Sequence, residues 1–181
     1  TQNRLDQVGA WIDQAAGASN LGRAPSANTT KLVGPGMGSK AVKWGAKVGM
    51  PNETNVGNET IFAAMAIPEL GGLKSPELDA GAYGNTDDDE MGEQIGTLPT
   101  RDFLEFVDGW DNPFIYFAAS DYKSTKGVAR YVRMDQENVK AQPAMNEATG
   151  KPLRPDSFQL FSMGPDQQPN TDDDIHYGIV N

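Results

Sequence analysis

Glycine and proline interrupt this chain so often that little of it can sustain a long regular element. Gly (20) and Pro (12) make up more than a sixth of the 181 residues, above the roughly 12% of average usage. The length favours one domain, large enough to bury a core without covalent staples. With a hydrophobic fraction of 38%, the expected domain has turns and long loops around a modest interior anchored by Trp, Phe and Tyr.

The clearest periodic segment opens the chain. Leu5, Val8, Ile12 and Ala15 fall on one stripe of a 3.6-residue period, with Gln2, Arg4, Asp6 and Asp13 elsewhere, which predicts an amphipathic helix over 1–16. Gly17 ends it. It opens without a capping box, as the continuation of a longer helix would. Residues 17–100 read as a loop-rich region. Within it, 21–57 is dense in Gly, Pro, Ser and Asn, and a short apolar patch (Ala41, Val42, Trp44, Val48) is expected to tuck against the core. A short helix is expected over 59–67, stopping before Pro68, and a helical turn at Ser75-Pro76-Glu77.

Beyond residue 100 the pattern changes. Thr100 is expected to cap a short helix carrying Phe103, Leu104, Phe106 and Val107, broken by Gly109. Strands are expected at 113–117, 128–132 and 157–161, the last half-buried by its alternation, and at 175–179 on the sheet edge. Residues 142–155 read as a linking segment. Trp110, Tyr116 and Phe117 are expected to pack in the core or along a strand. The fold class is therefore α+β: an N-terminal amphipathic helix, an irregular loop-rich middle and a small C-terminal antiparallel sheet over 101–181, in one domain spanning 1–181.

The net charge is −10 and the sequence pI about 4.5. Such a chain is repelled by nucleic acid and anionic membrane surfaces, and no basic stripe interleaved with aromatics offsets this. There is no cysteine, which excludes disulfides, thiolate metal sites and cysteine nucleophiles together. No run of about 18 apolar residues is present in the sequence. Catalysis finds little support. His176 is the sole histidine and stands beside Tyr177, with no serine elbow to serve. The run Gly34-Pro35-Gly36-Met37-Gly38 lacks the Lys-Ser/Thr of a phosphate-binding loop and reads as a flexible loop.

The strongest local signal lies near the C-terminus, where Gly164-Pro165-Asp166 is followed by Pro169 and by Asp172-Asp173-Asp174. Three consecutive aspartates repel one another, and a bound dication removes that repulsion. Calcium takes six to eight oxygens, which a turn-rich loop can supply from carboxylates and backbone carbonyls. Two turns would bring Asp166 across to the later aspartates. An EF-hand does not fit, because Thr171 stands where its glycine should be and Tyr177 where its bidentate glutamate should be. Composition alone fits a solvated acidic turn as well as a metal site. The upstream echo Asn85-Thr86-Asp87-Asp88-Asp89 has no Gly-Pro-Asp element before it, and Asp87 to Glu90 are expected to be a solvated face free of metal.

Two segments carry a family resemblance. Leu160-Phe161-Ser162-Met163-Gly164-Pro165-Asp166, followed by Asp173-Asp174-Ile175, resembles the C-terminal calcium loop of the major pseudopilins of type II secretion. Asp108-Gly109-Trp110-Asp111-Asn112-Pro113-Phe114-Ile115-Tyr116 resembles the segment by which the same pilin-like family enters its sheet. The resemblance implies side-chain oxygens on calcium from Asp166, Asp173 and Asp174, and backbone carbonyls from Met163, Gln168 and Thr171. It also implies a non-enzymatic structural subunit of a pseudopilus or pilus-like filament, serving protein secretion or a related assembly. Such a subunit associates with itself and with other pseudopilin or pilin subunits. It stands at the periplasmic or extracellular face, and an apolar N-terminal helix outside this sequence anchors it in the bacterial inner membrane. Gln167 departs from the family, which commonly has glycine there, and restricts a positive φ. Two other readings stay open: a free extracytoplasmic calcium-binding adhesion or interaction module, and a hydrolase using acidic residues.

Overall fold

A computed structural model of the protein describes residues 1–18, 31–32, 42–43, 54–66, 80–90, 100–119, 121–122 and 128–179. In chain order the elements are α1 (Gln2–Ala18), β1 (Lys31–Leu32), β2 (Val42–Lys43), α2 (Val56–Ala66), a 3-10 turn (Ala80–Ala82), β3 (Tyr83–Gly84), β4 (Glu105–Phe106), β5 (Ile115–Phe117), β6 (Ala129–Val132), β7 (Asn138–Ala141), β8 (Met145–Asn146), β9 (Lys151–Pro152), β10 (Gln159–Ser162) and β11 (Ile175–His176). Helices and small antiparallel sheets together make the class α+β. The expected turn at Ser75 to Glu77, most of the expected irregular stretch over 21–57 and the Gly34 to Gly38 loop lie outside the described residues.

The central sheet has the order β11-β10-β5, antiparallel throughout, with Leu160 opposite Tyr116 and Phe161 opposite His176. Side chains alternate across a strand, and both faces of this sheet are covered. On one face Phe114, Tyr116, Ala118, Phe158 and Leu160 pack with Leu5, Val8, Trp11 and Ile12 of α1 and with Ile61 and Phe62 of α2. On the other, Ile115, Phe117, Phe161 and Met163 pack with Tyr131, Val139 and Ala141 of the β6–β7 hairpin. Leu5, Val8 and Ile12 are fully buried, so the predicted stripe is the packing face of α1. Each such side chain contributes roughly 1.5–3 kcal/mol by leaving water.

Covering on both sides corrects the expectation for the strand at 157–161. All four residues of β10 are buried, because the β6–β7 hairpin occupies the face expected to meet solvent. The helix expected over Phe103 to Val107 is also not formed. Thr100 Oγ1 accepts from Asp102 N at 2.9 Å, but the chain then extends into β4, which pairs with β3. A buried side chain of α2 fixes that choice. Asn58 Nδ2 donates to the carbonyls of Phe106 and Phe114, both at 2.8 Å, and Asn58 Oδ1 accepts from Phe106 N at 2.8 Å. The segment expected to be a link, 142–155, contains the β8–β9 hairpin. Trp110 is 37% exposed, so of the three aromatics expected to pack, Tyr116 and Phe117 do and Trp110 stands at the surface.

Candidate metal centres

The C-terminal loop joins β10 to β11 and is shaped by three residues in the left-handed region: Gly164 (φ 65), Gln167 (φ 59) and Asn170 (φ 67). Gly164 is fixed by contact as well as by torsion, since a Cβ there would lie 2.3 Å from the carbonyl oxygen of Asp173. That approach brings the two ends of the loop together. Asp173 Oδ2 accepts from Asp166 N at 3.0 Å, and its Oδ1 accepts from the Thr171 hydroxyl at 2.6 Å. Asp166 Oδ1 accepts from Gln168 N at 2.7 Å. The loop is tied to the body by Arg133, which donates to the Gln167 carbonyl at 3.2 Å, and by Asn170, which exchanges two 2.8 Å bonds with the backbone of Gln142.

Within this loop Asp174 differs from its neighbours. Asp166 and Asp172 are exposed, whereas Asp174 is 5% exposed. Its Oδ2 accepts from Asn170 N at 2.8 Å, while its Oδ1 is buried with no hydrogen-bond donor. Burial, with the charges of Asp173 and Asp166 added, pushes its carboxyl up to about 7. The hydrogen bonds from Thr171 and Asp166 N hold Asp173 below the usual carboxylate range. Of the remaining residues named for this loop, Met163 buries its side chain in the second core. The carbonyls of Gln168 and Thr171 accept from the Thr171 hydroxyl (3.1 Å) and from Asp174 N (3.4 Å).

A second acidic cluster lies outside this loop. Glu59 comes from the first turn of α2, Asp87 from the turn after β3, and Glu105 from β4. One carboxylate oxygen from each lies within 4.8 Å of the other two, a spacing able to hold a metal ion. Two oxygens on opposite sides of one calcium ion are about 4.6–5.2 Å apart, given bond lengths of about 2.3–2.6 Å. Glu59 and Glu105 are 1% and 0% exposed. Glu105 is oriented by Thr86 N (3.0 Å) and Asn55 Nδ2 (3.3 Å), and Asp87 Oδ2 accepts from the Thr54 hydroxyl at 2.5 Å. Both oxygens of Glu59 are buried and meet no donor. Burial, then the carboxylates of Asp89, Asp87 and Glu105, push Glu59 well above the usual carboxyl range. Burial raises Glu105 to about 8, with Asp87 and Asp89 adding to the rise and the Thr86 and Asn55 bonds opposing it.

This cluster corrects the expectation that Asp87 to Glu90 is wholly a solvated face. Asp88 and Glu90 are exposed, but Asp87 and Asp89 are half-buried, and Phe103 N donates to the Asp89 carbonyl at 3.3 Å. Glu59 and Glu105 were not singled out from sequence. The available signal was a carboxylate inside an apolar run: Glu59 just before Ile61 and Phe62, and Glu105 between Leu104 and Phe106. Comparison with family models, with curated proteins and with solved structures finds no match to this chain.

Proposed function

We propose that this chain is the globular domain of a non-enzymatic filament subunit of the pseudopilin or pilin-like kind, whose C-terminal loop takes a calcium ion. The observation that carries the reading is Asp174 Oδ1, buried without a donor in a loop whose neck is closed where the Asp173 carboxylate accepts from Asp166 N. A dication there would give that oxygen a partner and offset the repulsion that raises its proton affinity. Asp166, Asp173 and Asp174 would supply side-chain oxygens, and Met163, Gln168 and Thr171 carbonyls.

The loop is coupled to α1, the element through which such subunits would assemble. Tyr177, three residues beyond Asp174, lies against Gly9, where a Cβ would fall 2.4 Å from its ring. The Tyr177 hydroxyl donates to Asp13 at 2.8 Å, and Arg154 reaches the same carboxylate at 3.4 Å while lying over the rings of Phe158 and Tyr177. Calcium in the loop would therefore steady the seat of α1, whose outer face carries the exposed residues Asn3, Gln7 and Ala10. Other subunits of the same kind are the expected partners, at the periplasmic or extracellular face.

The chain has no cysteine, so single cysteines placed at Asn3 and Gln7 report subunit contacts cleanly. Full-length subunits carrying the pair are expected to cross-link into a ladder in calcium and to lose it with Asp174→Asn. Monomer alone, in calcium and in chelator alike, would overturn the filament reading.

A further inference from the structure

The buried cluster of Glu59, Asp87 and Glu105 stands apart from the C-terminal loop and does not depend on the filament reading. We infer that Glu59, Asp87 and Glu105 form a second, structural site for a hard divalent cation of the calcium class, which fastens α2 and the 85–90 turn to β4. Three facts carry this. The three carboxylates reach one another within 4.8 Å, from three separate segments of the chain. Glu59, 1% exposed, contributes one oxygen to the cluster, and both of its oxygens are buried without a hydrogen bond. The charges that most raise the proton affinity of Glu59 are the carboxylates of Asp89, Asp87 and Glu105, like charges that a dication would offset.

The surroundings show a built site. Asn55, fully buried, donates to Glu105 Oε1 and to the Thr86 hydroxyl (2.8 Å), and its own Oδ1 accepts from Val132 N at 2.9 Å. Thr86 in turn donates from its backbone to Glu105 and from its hydroxyl to the Val132 carbonyl at 2.8 Å. These bonds orient Glu105 through both of its oxygens, whereas Glu59 has no such donor. Asn85 Oδ1, two residues before Asp87, is likewise buried without a donor.

The ligand class follows from the donor set. All donors are oxygens; the chain has no cysteine, and its one histidine, His176, lies in β11. Carboxylates and amide oxygens suit calcium, magnesium or manganese, not zinc or copper, which favour nitrogen and sulfur. Carboxylates drawn from three separate segments suit the larger and more variable calcium shell better than the strict octahedron of magnesium. A buried unpaired carboxylate is costly, and a dication among three of them offsets that cost where a single shared proton neutralises only one.

The test uses the full chain with the C-terminal loop disabled by Asp173→Ala and Asp174→Ala, leaving the buried cluster untouched. Equilibrium dialysis is expected to retain one calcium per chain, the melting temperature to rise with calcium, and both effects to vanish when Glu59→Gln is added. Hydrogen exchange on the unaltered chain gives an independent reading: calcium is expected to slow the amides of 54–60 and 85–90 as well as those of 163–174. Protection confined to 163–174, or a loop-disabled chain that folds but neither retains calcium nor melts higher in it, would overturn the proposal. The cluster would then be neutralised by protons alone.

Discussion

The Ser162 hydroxyl donates to Asp108 Oδ2 at 2.5 Å, joining the turn that opens β5 to the strand end that leads into the acidic loop. Asp108 is fully buried, and its other oxygen accepts from Trp110 N (2.9 Å) and Asn112 N (3.0 Å). Its backbone carbonyl receives Arg4 of α1 at 3.0 Å. One aspartate thus fixes a turn, a helix and the approach to the loop, and the two segments that carry the family resemblance meet at this bond.

Removing the donor should be felt directly. Ser162→Ala leaves Asp108 Oδ2 buried without its partner and also removes the acceptor of Gly164 N at 3.2 Å. The expected loss is about 1–3 kcal/mol of folding stability. Urea denaturation at pH 7 measures it, and an unchanged midpoint would mean that water replaces the hydroxyl.

Backbone torsion predicts opposite outcomes at two positions of the loop. Gly164→Ala meets both a positive φ and the Asp173 carbonyl, so loop closure is expected to fail and the calcium response with it. Gln167 already holds φ 59, a conformation costing roughly 1–2 kcal/mol for an L-residue. Gln167→Gly relieves that strain but adds about 0.5–1 kcal/mol of unfolded-state entropy. A net gain of about 0.5–1 kcal/mol is expected, read as a higher melting temperature with calcium present.

Stability should fall as pH rises when metal is removed. Glu105 lies beside the carboxylates of Glu59 and Asp87, burial and the charges of Asp87 and Asp89 raise it, and its folded value of about 8 exceeds the ordinary 4.5. The folded chain therefore binds the proton more tightly than the unfolded chain. The stability so contributed is complete below about 4.5 and is lost as pH climbs through about 8. Glu59 and Asp174, both raised, act in the same direction. Melts in chelator between pH 5 and pH 8 should decline, and saturating calcium should flatten the slope. A slope of the opposite sign in chelator would show that these carboxyls are not held protonated.

Local pattern made part of this molecule legible. The stripe of Leu5, Val8 and Ile12 named the buried face of α1, and the aromatic run before Ala118 named a strand of the central sheet, because each is a repeat of one element's own period. Phe103, Leu104, Phe106 and Val107 misled for the same reason. Their spacing suits one face of a helix, but Asn58 and Tyr83, distant in sequence, hold that stretch extended. The acidic loop at 163–174 could be singled out because its aspartates lie within nine residues of one another. Glu59, Asp87 and Glu105 come from three elements and meet only through tertiary packing, so no spacing rule could join them. Gln167 reached a positive φ without glycine because Arg133 holds its carbonyl from the β6–β7 turn.

The last prediction separates the three adjacent aspartates. Asp172 is exposed, Asp173 gathers Asp166 N and the Thr171 hydroxyl, and Asp174 is buried with one oxygen unserved. Asp174→Asn keeps the shape and removes the charge, so in chelator the variant is expected to melt no lower than the parent chain at pH 7. Its calcium-dependent rise should shrink, because the loop loses the carboxylate that most needs a cation. Asp173→Asn should shrink the rise too, and should also lower the chelator melt by weakening the bonds that close the neck. Asp172→Asn should leave both unchanged. A ligand that binds only the folded chain stabilises it by about 2.7 kcal/mol at a hundredfold excess over Kd, a shift of several degrees for a chain of this size. Paired melts of the three variants in calcium and chelator measure the set, best in a Glu59→Gln background so that the buried cluster does not contribute. Equal calcium responses in all three would show that the loop binds no ion and is an acidic turn held by its own hydrogen bonds.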